Sequence, residues 1–211
     1  MRPMIWLFLF FAFTGCAPMV VDLSSSNHLV DRQPTKQGGF DYKLVVLDRA
    51  TEMKMDQKIF GASTFPMRTA EKPRETLEKD IARFFDRLTS RMDDGRRIVA
   101  RIDRADAYWV NPGTNTIPIV GMFTVWASNY PFTFDISVTF EVEENSKVVH
   151  SYSFNQKIEI LDGNGATGSG IEKSYQRLIS NYRKMMFDAL EVEFIPRYLS
   201  KPEPVHTPSS N

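Results

Sequence analysis

Residues 133–143 constrain this chain more than any other stretch. Phe134, Ile136, Val138, Phe140 and Val142 share one parity, and Asp135, Ser137, Thr139 and Glu141 share the other. Successive side chains of a strand point to opposite faces, so the alternation specifies a strand with one apolar and one wet face. Glu144-Asn145-Ser146 follows as a turn, after which Val148, Tyr152, Phe154, Ile158 and Ile160 continue the alternation. Two such runs across a short turn predict an antiparallel hairpin. A half-wet sheet argues against the doubly covered parallel sheet of α/β proteins, and its apolar face needs a cover.

Two amphipathic segments can supply that cover. Pro73 opens the first, in which Leu77, Ile81, Phe84, Phe85, Leu88 and Met92 recur at helical spacing, and Gly95 lies just past its end. The second covers about 171–194, with an apolar stripe of Ile171, Tyr175, Leu178, Tyr182, Met185 and Ala189. Ser169 and Glu172 have the spacing of a capping box at its start, and Pro196 is expected to end it. Residues 42–48 form a short β-branched run that reads as a first strand. Residues 97–109 read as another, with Ile98, Ala100 and Ile102 alternating with Arg101 and Asp103. The stretch between 48 and Pro73, through Gly61 and Pro66, reads as a long polar loop. The expected fold is α+β: a two-layer sandwich of about four mainly antiparallel strands, covered on one face by two helices, in β-α-β-β-β-α-like order.

The N-terminus carries different information. Arg2 precedes an unbroken apolar run at 4–13, and Thr14-Gly15-Cys16 brings small residues and the only cysteine of 211 residues. This is the layout of a secretory signal, too short for the about 20 apolar residues that span a bilayer. Phe13-Thr14-Gly15-Cys16 resembles the lipobox of bacterial lipoproteins, with Phe in place of the more usual Leu. That resemblance implies cleavage before Cys16 and acylation of Cys16. The alternative is a plain secretory signal beside a stray cysteine, but Cys16 has no partner for a disulfide. Several acyl chains on one residue would hold the protein at the membrane permanently. Ala17 in place of Asp implies, by resemblance to enterobacterial sorting, the outer membrane, with inner-membrane anchoring left open.

The organisation is then a signal peptide at 1–15, a lipidated Cys16 with a flexible tether at 16–41, a single domain at 42–199 and a disordered tail at 200–211. A unit of about 150 residues buries roughly two-thirds of its unfolded surface, enough for a core without disulfides.

Candidate chemistry is sparse. Lys+Arg and Asp+Glu number 26 each, so no global field draws in nucleic acid. Gly163-Asn164-Gly165-Ala166-Thr167-Gly168 matches the G-x-G-x-x-G pattern between a strand and a helix. Its strand belongs to a hairpin, and only a polar tail follows its helix, so no second parallel strand offers a ribose-binding acid. No nucleotide is expected. The same loop starts like a calcium loop at Asp162 and Asn164, but Ala166, Thr167 and Lys173 stand where ligands and the turn glycine belong. His28, His150 and His206 are scattered, and no metal or other cofactor is expected. His150 shares the parity of Tyr152 and Phe154 and reads as core or rim packing. Without a nucleophile elbow or acid pair, no enzyme signature survives.

The aromatic-rich insertion at about 111–132 breaks both periodicities. It is either an irregular connection folded back on the core or an exposed apolar surface, with Phe123, Trp126 and Tyr130 as the candidate partner surface.

Taken together, lipobox, polar tether, strand, amphipathic helix, strand, polar–apolar hairpin and final helix resemble the exported lipoproteins of the YajG family. Most of the likeness lies at 130–195, in NYPFTFDISVTFEVEENSKVVHSYSF and GIEKSYQRLISNYRKMMFDALEVEFI. The LPS-assembly lipoprotein LptE and the auxiliary lipoproteins of lipid transporters have a comparable layout. The insertion is longer than the matching connection of YajG-like proteins, and no functional residue carries over. The resemblance implies a non-enzymatic binding or scaffolding lipoprotein facing the periplasm, with an envelope protein as partner; the alternative is an auxiliary factor of lipid or LPS transport.

Overall fold

The computed structural model describes residues 42–56, 61–67, 72–86, 88, 95–111, 129–162 and 168–199. In chain order these form β1 (Lys43–Asp48), β2 (Ser63–Pro66), α1 (Pro73–Asp86), β3 (Arg96–Asn111), β4 (Tyr130–Glu144), β5 (Lys147–Asp162) and α2 (Gly168–Ala189). A π-helical segment, Leu190–Leu199, continues α2. The tether, the tail, Met92 and most of the glycine-rich loop lie outside the described residues.

The strands make one sheet in the order β1-β3-β4-β5, with β2 also pairing β3. β1 lies parallel to β3, and the other pairings are antiparallel. The expected two-layer α+β sandwich is what forms. Where a polar loop was expected, Ser63–Pro66 adds a short fifth strand against the far half of β3, with Phe65 stacked on Trp109 at 4.8 Å.

The hairpin closes through two residues, Asn145 and Ser146, both at positive φ (52° and 63°). That geometry matches the twist of the flanking strands, and Asn tolerates it well. Gly95, at φ +88°, sits beside this turn and accepts from the Asn145 amide at 3.0 Å.

Two bulges reset the parity of long strands. On β3 the register shifts between Ile102 and Arg104, so the buried face passes from Ile98, Ala100 and Ile102 to Ala105 and Ala107. On β5, Val142 pairs with His150 and Glu143 with Val148, which leaves Val149 as the extra residue. Val148 therefore turns to the polar face and is 51% exposed, contrary to its expected place in the apolar alternation.

The core lies between the sheet and the two helices. Leu77, Ile81, Phe84, Phe85 and Leu88 are buried, as the helical spacing predicts. Phe84 stacks on Phe187 of α2 at 4.7 Å, and Phe134 of β4 meets Tyr182 edge-on at 5.1 Å. On α2 the buried face is Tyr175, Leu178, Ile179, Tyr182 and Met186, whereas Met185 is 41% exposed. The expected stripe misplaced Met185, because ten residues from Tyr175 leave a helix well short of a whole turn and eleven nearly complete it.

Pro196 does not end the helix. The backbone widens into π-helical turns after Ala189 and runs to Leu199 with Pro196 inside. Leu190, Phe194, Ile195 and Leu199 are buried at spacings of four and five, which suit i→i+5 bonding rather than the α-helical three and four. Widening also relieves the clash between the proline ring and the carbonyl four residues earlier.

Candidate functional site

Three polar or exposed features stand out among the described residues. The first is internal. Asp80 of α1 and Arg183 of α2 are both buried and form a two-pronged ion pair, Nε to Oδ2 at 2.6 Å and Nη2 to Oδ1 at 2.9 Å. The Tyr182 hydroxyl also donates to Asp80 Oδ2. Burial pushes the Tyr182 phenol well above its ordinary range, and the adjacent carboxylate adds to the shift, so this group stays a donor. Enclosed on all sides, the trio fixes helix against helix and offers nothing to a ligand.

The second is the outer face of the sheet. Arg101 pairs with Glu141, and Arg104 with Asp135 at 3.0 Å. Ser137 bonds Asn155 at 2.6 Å. Asp106 stands directly opposite Asp135, and partial burial, then that like charge, raise its carboxyl above the usual range while Arg104 opposes the shift. The face is polar but largely self-satisfied.

The third feature is a groove of about 410 Å³ beside β5, between Tyr152 and the π-helical segment, lined also by Val192, Glu193, Pro196, Arg197 and Tyr198. β5 is the last strand of the sheet order, so the groove flanks a sheet edge. Tyr152 donates to Glu193 Oε2 at 3.2 Å. Burial, then the bond to Glu193, push the Tyr152 phenol up to about 12. Tyr198 packs against Phe194 (5.6 Å) and the His150 ring (4.9 Å), and the Arg197 guanidinium lies over Tyr198 at 5.4 Å. His150 is thus a rim residue, as its parity predicts. Val192, also in the lining, is apolar and 74% exposed. Aromatic walls, one carboxylate and one guanidinium in an open trough can bind a segment with flat apolar surfaces and a charge.

Of the residues predicted as a partner surface, only Tyr130 is among the described residues. Cys16, Phe123 and Trp126 lie outside the described residues. Tyr130 is described, and it corrects the expectation: it is 1% exposed, pairs in register with Asp162 and meets Trp109 edge-on at 5.7 Å. β4 begins at Tyr130 rather than at 133, so Tyr130 and Phe132 are core, not surface.

The glycine-rich loop precedes α2, and its strand β5 is antiparallel to β4, unlike the parallel unit of a dinucleotide site. Asp162 of the would-be calcium loop accepts from Ser174 Oγ at 2.8 Å and lies 3.6 Å from Arg177. The Glu172 carboxylate takes Gln176 one turn on, at 3.3 Å, and α2 starts at Gly168, one residue before the expected cap at Ser169. Among the described residues no helix is long and apolar enough to cross a membrane.

Sequence reasoning missed both the buried trio and the groove. Asp80 did leave a signal, since it lies three residues after Leu77 and four before Phe84, inside the apolar stripe. The groove left none, because it depends on where the helix changes pitch.

No protein-family model matches the chain, and no curated protein does. Among solved structures the chain is similar to a Xanthomonas campestris protein of the DUF330 family, at 10% identity and a TM-score of 0.43 over 76% of this chain and 90% of that one. It is also similar to a minor lipoprotein from Acinetobacter baumannii, at 10% identity and a TM-score of 0.35 over 71% of this chain and 91% of that one.

Proposed function

We propose that this chain is a non-enzymatic binding or scaffolding module of the bacterial envelope, held by acyl chains on Cys16 at the periplasmic side of the outer membrane. The observation that carries the reading is the N-terminal sequence: Arg2, the apolar run at 4–13 and a lone cysteine directly after Thr14-Gly15. The described domain begins at Tyr42, so 25 residues, 17–41, lie between it and the anchoring cysteine.

The core supports binding of a protein over handling of a lipid. A lipid carrier needs apolar space beneath its helices. Here that space is filled by Phe84, Phe85, Phe134, Phe140, Phe187 and Phe194, none more than 4% exposed. The readable surface is the rim groove and the polar sheet face.

Fatty-acid labelling and membrane fractionation of Cys16→Ser test the anchor. The variant should lose the label and leave the membrane fraction, whereas the parent should sediment with outer-membrane markers. Retained label and membrane association in Cys16→Ser would sink the proposal. Affinity purification of the lipidated chain, with proteins and lipids both identified, then separates a protein partner from lipid cargo.

A further inference from the structure

The groove beside β5 stands immediately before the end of the described chain. Tyr198 and Arg197 line it, Leu199 is buried in the core, and residues 200–211 follow in sequence. The first residues of that continuation read Ser200-Lys201-Pro202-Glu203-Pro204-Val205. Alternating prolines favour the extended polyproline II form, at about 3.1 Å per residue, so the six residues after Leu199 reach as far as about 19 Å. That reach covers a groove whose wall begins one residue before Leu199.

The chemistry of the two surfaces corresponds. Proline lacks an N–H and cannot extend the ladder from the edge of β5, but its flat ring packs on aromatic faces, the mode by which aromatic-lined grooves take proline-rich segments. Tyr152 and Tyr198 supply such faces. Glu203 lies between the two prolines and is opposite in charge to Arg197, whose guanidinium already stands over Tyr198 at 5.4 Å. Glu193 is engaged by the Tyr152 hydroxyl, which leaves Arg197 as the charge that selects an acidic residue.

We propose that the groove is a binding site for an extended proline-containing peptide, and that its occupant is this chain's own segment 201–205, with Pro202 and Pro204 against Tyr198 and Tyr152 and Glu203 on Arg197. This goes beyond the anchoring role and does not depend on it. Docked in cis, the segment covers the exposed Val192 and the edge of β5 next to Tyr152, so any partner that uses this rim must first displace it.

A nitroxide attached at Val205→Cys in the full chain carrying Cys16→Ser, where it is the sole thiol, reports the docking. Nuclear magnetic resonance should show paramagnetic broadening at Val192, Arg197 and Tyr152, with Leu47 on the far edge of the sheet unaffected. Glu203→Lys should lower the docked population about threefold or more, as expected when one exposed attraction becomes a repulsion. Combining Glu203→Lys with Arg197→Glu should restore the broadening. Equal signals at Val192 and Leu47 would overturn the proposal, as would broadening that ignores both charge changes. Broadening seen only between differently labelled molecules would also overturn it, by placing the segment on a second copy.

Discussion

Asp80→Ala is the most informative single perturbation of this fold. It removes the carboxylate that neutralises Arg183, whose side chain is 4% exposed, and it takes away the acceptor of the Tyr182 hydroxyl. Breaking one partner of a buried ion pair costs about 3–5 kcal/mol. An orphaned buried hydroxyl adds about 1–3 kcal/mol, and since the two losses overlap the expected total is about 4–6 kcal/mol. A domain of this size holds about 5–15 kcal/mol in all, so the variant should stand close to unfolding at room temperature. Urea denaturation followed by far-ultraviolet circular dichroism measures this, provided the slopes of mutant and parent agree. The triple variant Asp80→Leu, Arg183→Met, Tyr182→Phe should behave quite differently. It removes every polar group of the trio together and should fall within about 2 kcal/mol of the parent, or exceed it. The contrast separates a network that stabilises from one that mainly fixes how α1 registers on α2. If Asp80→Ala lost less than about 1 kcal/mol, Arg183 would have to reach water once unpaired, and the enclosed character assigned to this site would be wrong.

Other expectations follow from packing and charge. Phe85→Ala should cost about 3–5 kcal/mol, measured in the same denaturation assay, because its ring contacts Phe84, Phe140 and Phe194 within 6.2 Å. Met186→Ala should cost about 2–5 kcal/mol and Met185→Ala no more than about 0.5 kcal/mol, and equal losses would refute the assigned rotation of α2. Asp106→Asn should stabilise at neutral pH by less than about 1 kcal/mol, discounted because the carboxyl is still partly open to solvent. The sign follows from its raised folded pKa: protonated Asp106 favours the fold, and that contribution fades as pH rises through the folded value. The gap between Asp106→Asn and the parent should therefore close on acidification, and a gap that widens would reverse the assignment.

The sheet was legible in the sequence to the degree that its strands keep strict parity. Phe134 to Val142 do so without interruption, and all are buried at 0–1% exposure. Alternation fails where a bulge inserts one residue, and neither Asp103 nor Val149 announces itself by type. Val148 illustrates the loss, since it belongs to the apolar set by counting and to the polar face by register. β2 was hidden for another reason. Its four residues are too few for a periodic signal, and its place is set by pairing with β3 and by Phe65 on Trp109. Tyr130 went the same way, since a strand that extends three residues past its clear alternation turns an expected surface group into core.

The site was harder to read, because it is a consequence of pitch. In an α-helix through 190–199, Phe194 and Ile195 would be followed on the buried face by residues 197 and 198, and Pro196 would clash with the carbonyl of residue 192. The π-helical turns bring Leu199 onto that face instead, and they leave Val192, Glu193, Pro196 and Arg197 along the outer lip beside Tyr152. Proline at 196 is thus more than a helix breaker tolerated by chance. It penalises the narrower helix, while the buried Leu190, Phe194 and Leu199 hold the wider one. Seen this way, the groove is a by-product of two local demands, a proline to accommodate and a core to fill. Its position beside the sheet edge then makes it the place where a further segment can be added at least cost in rearranged core.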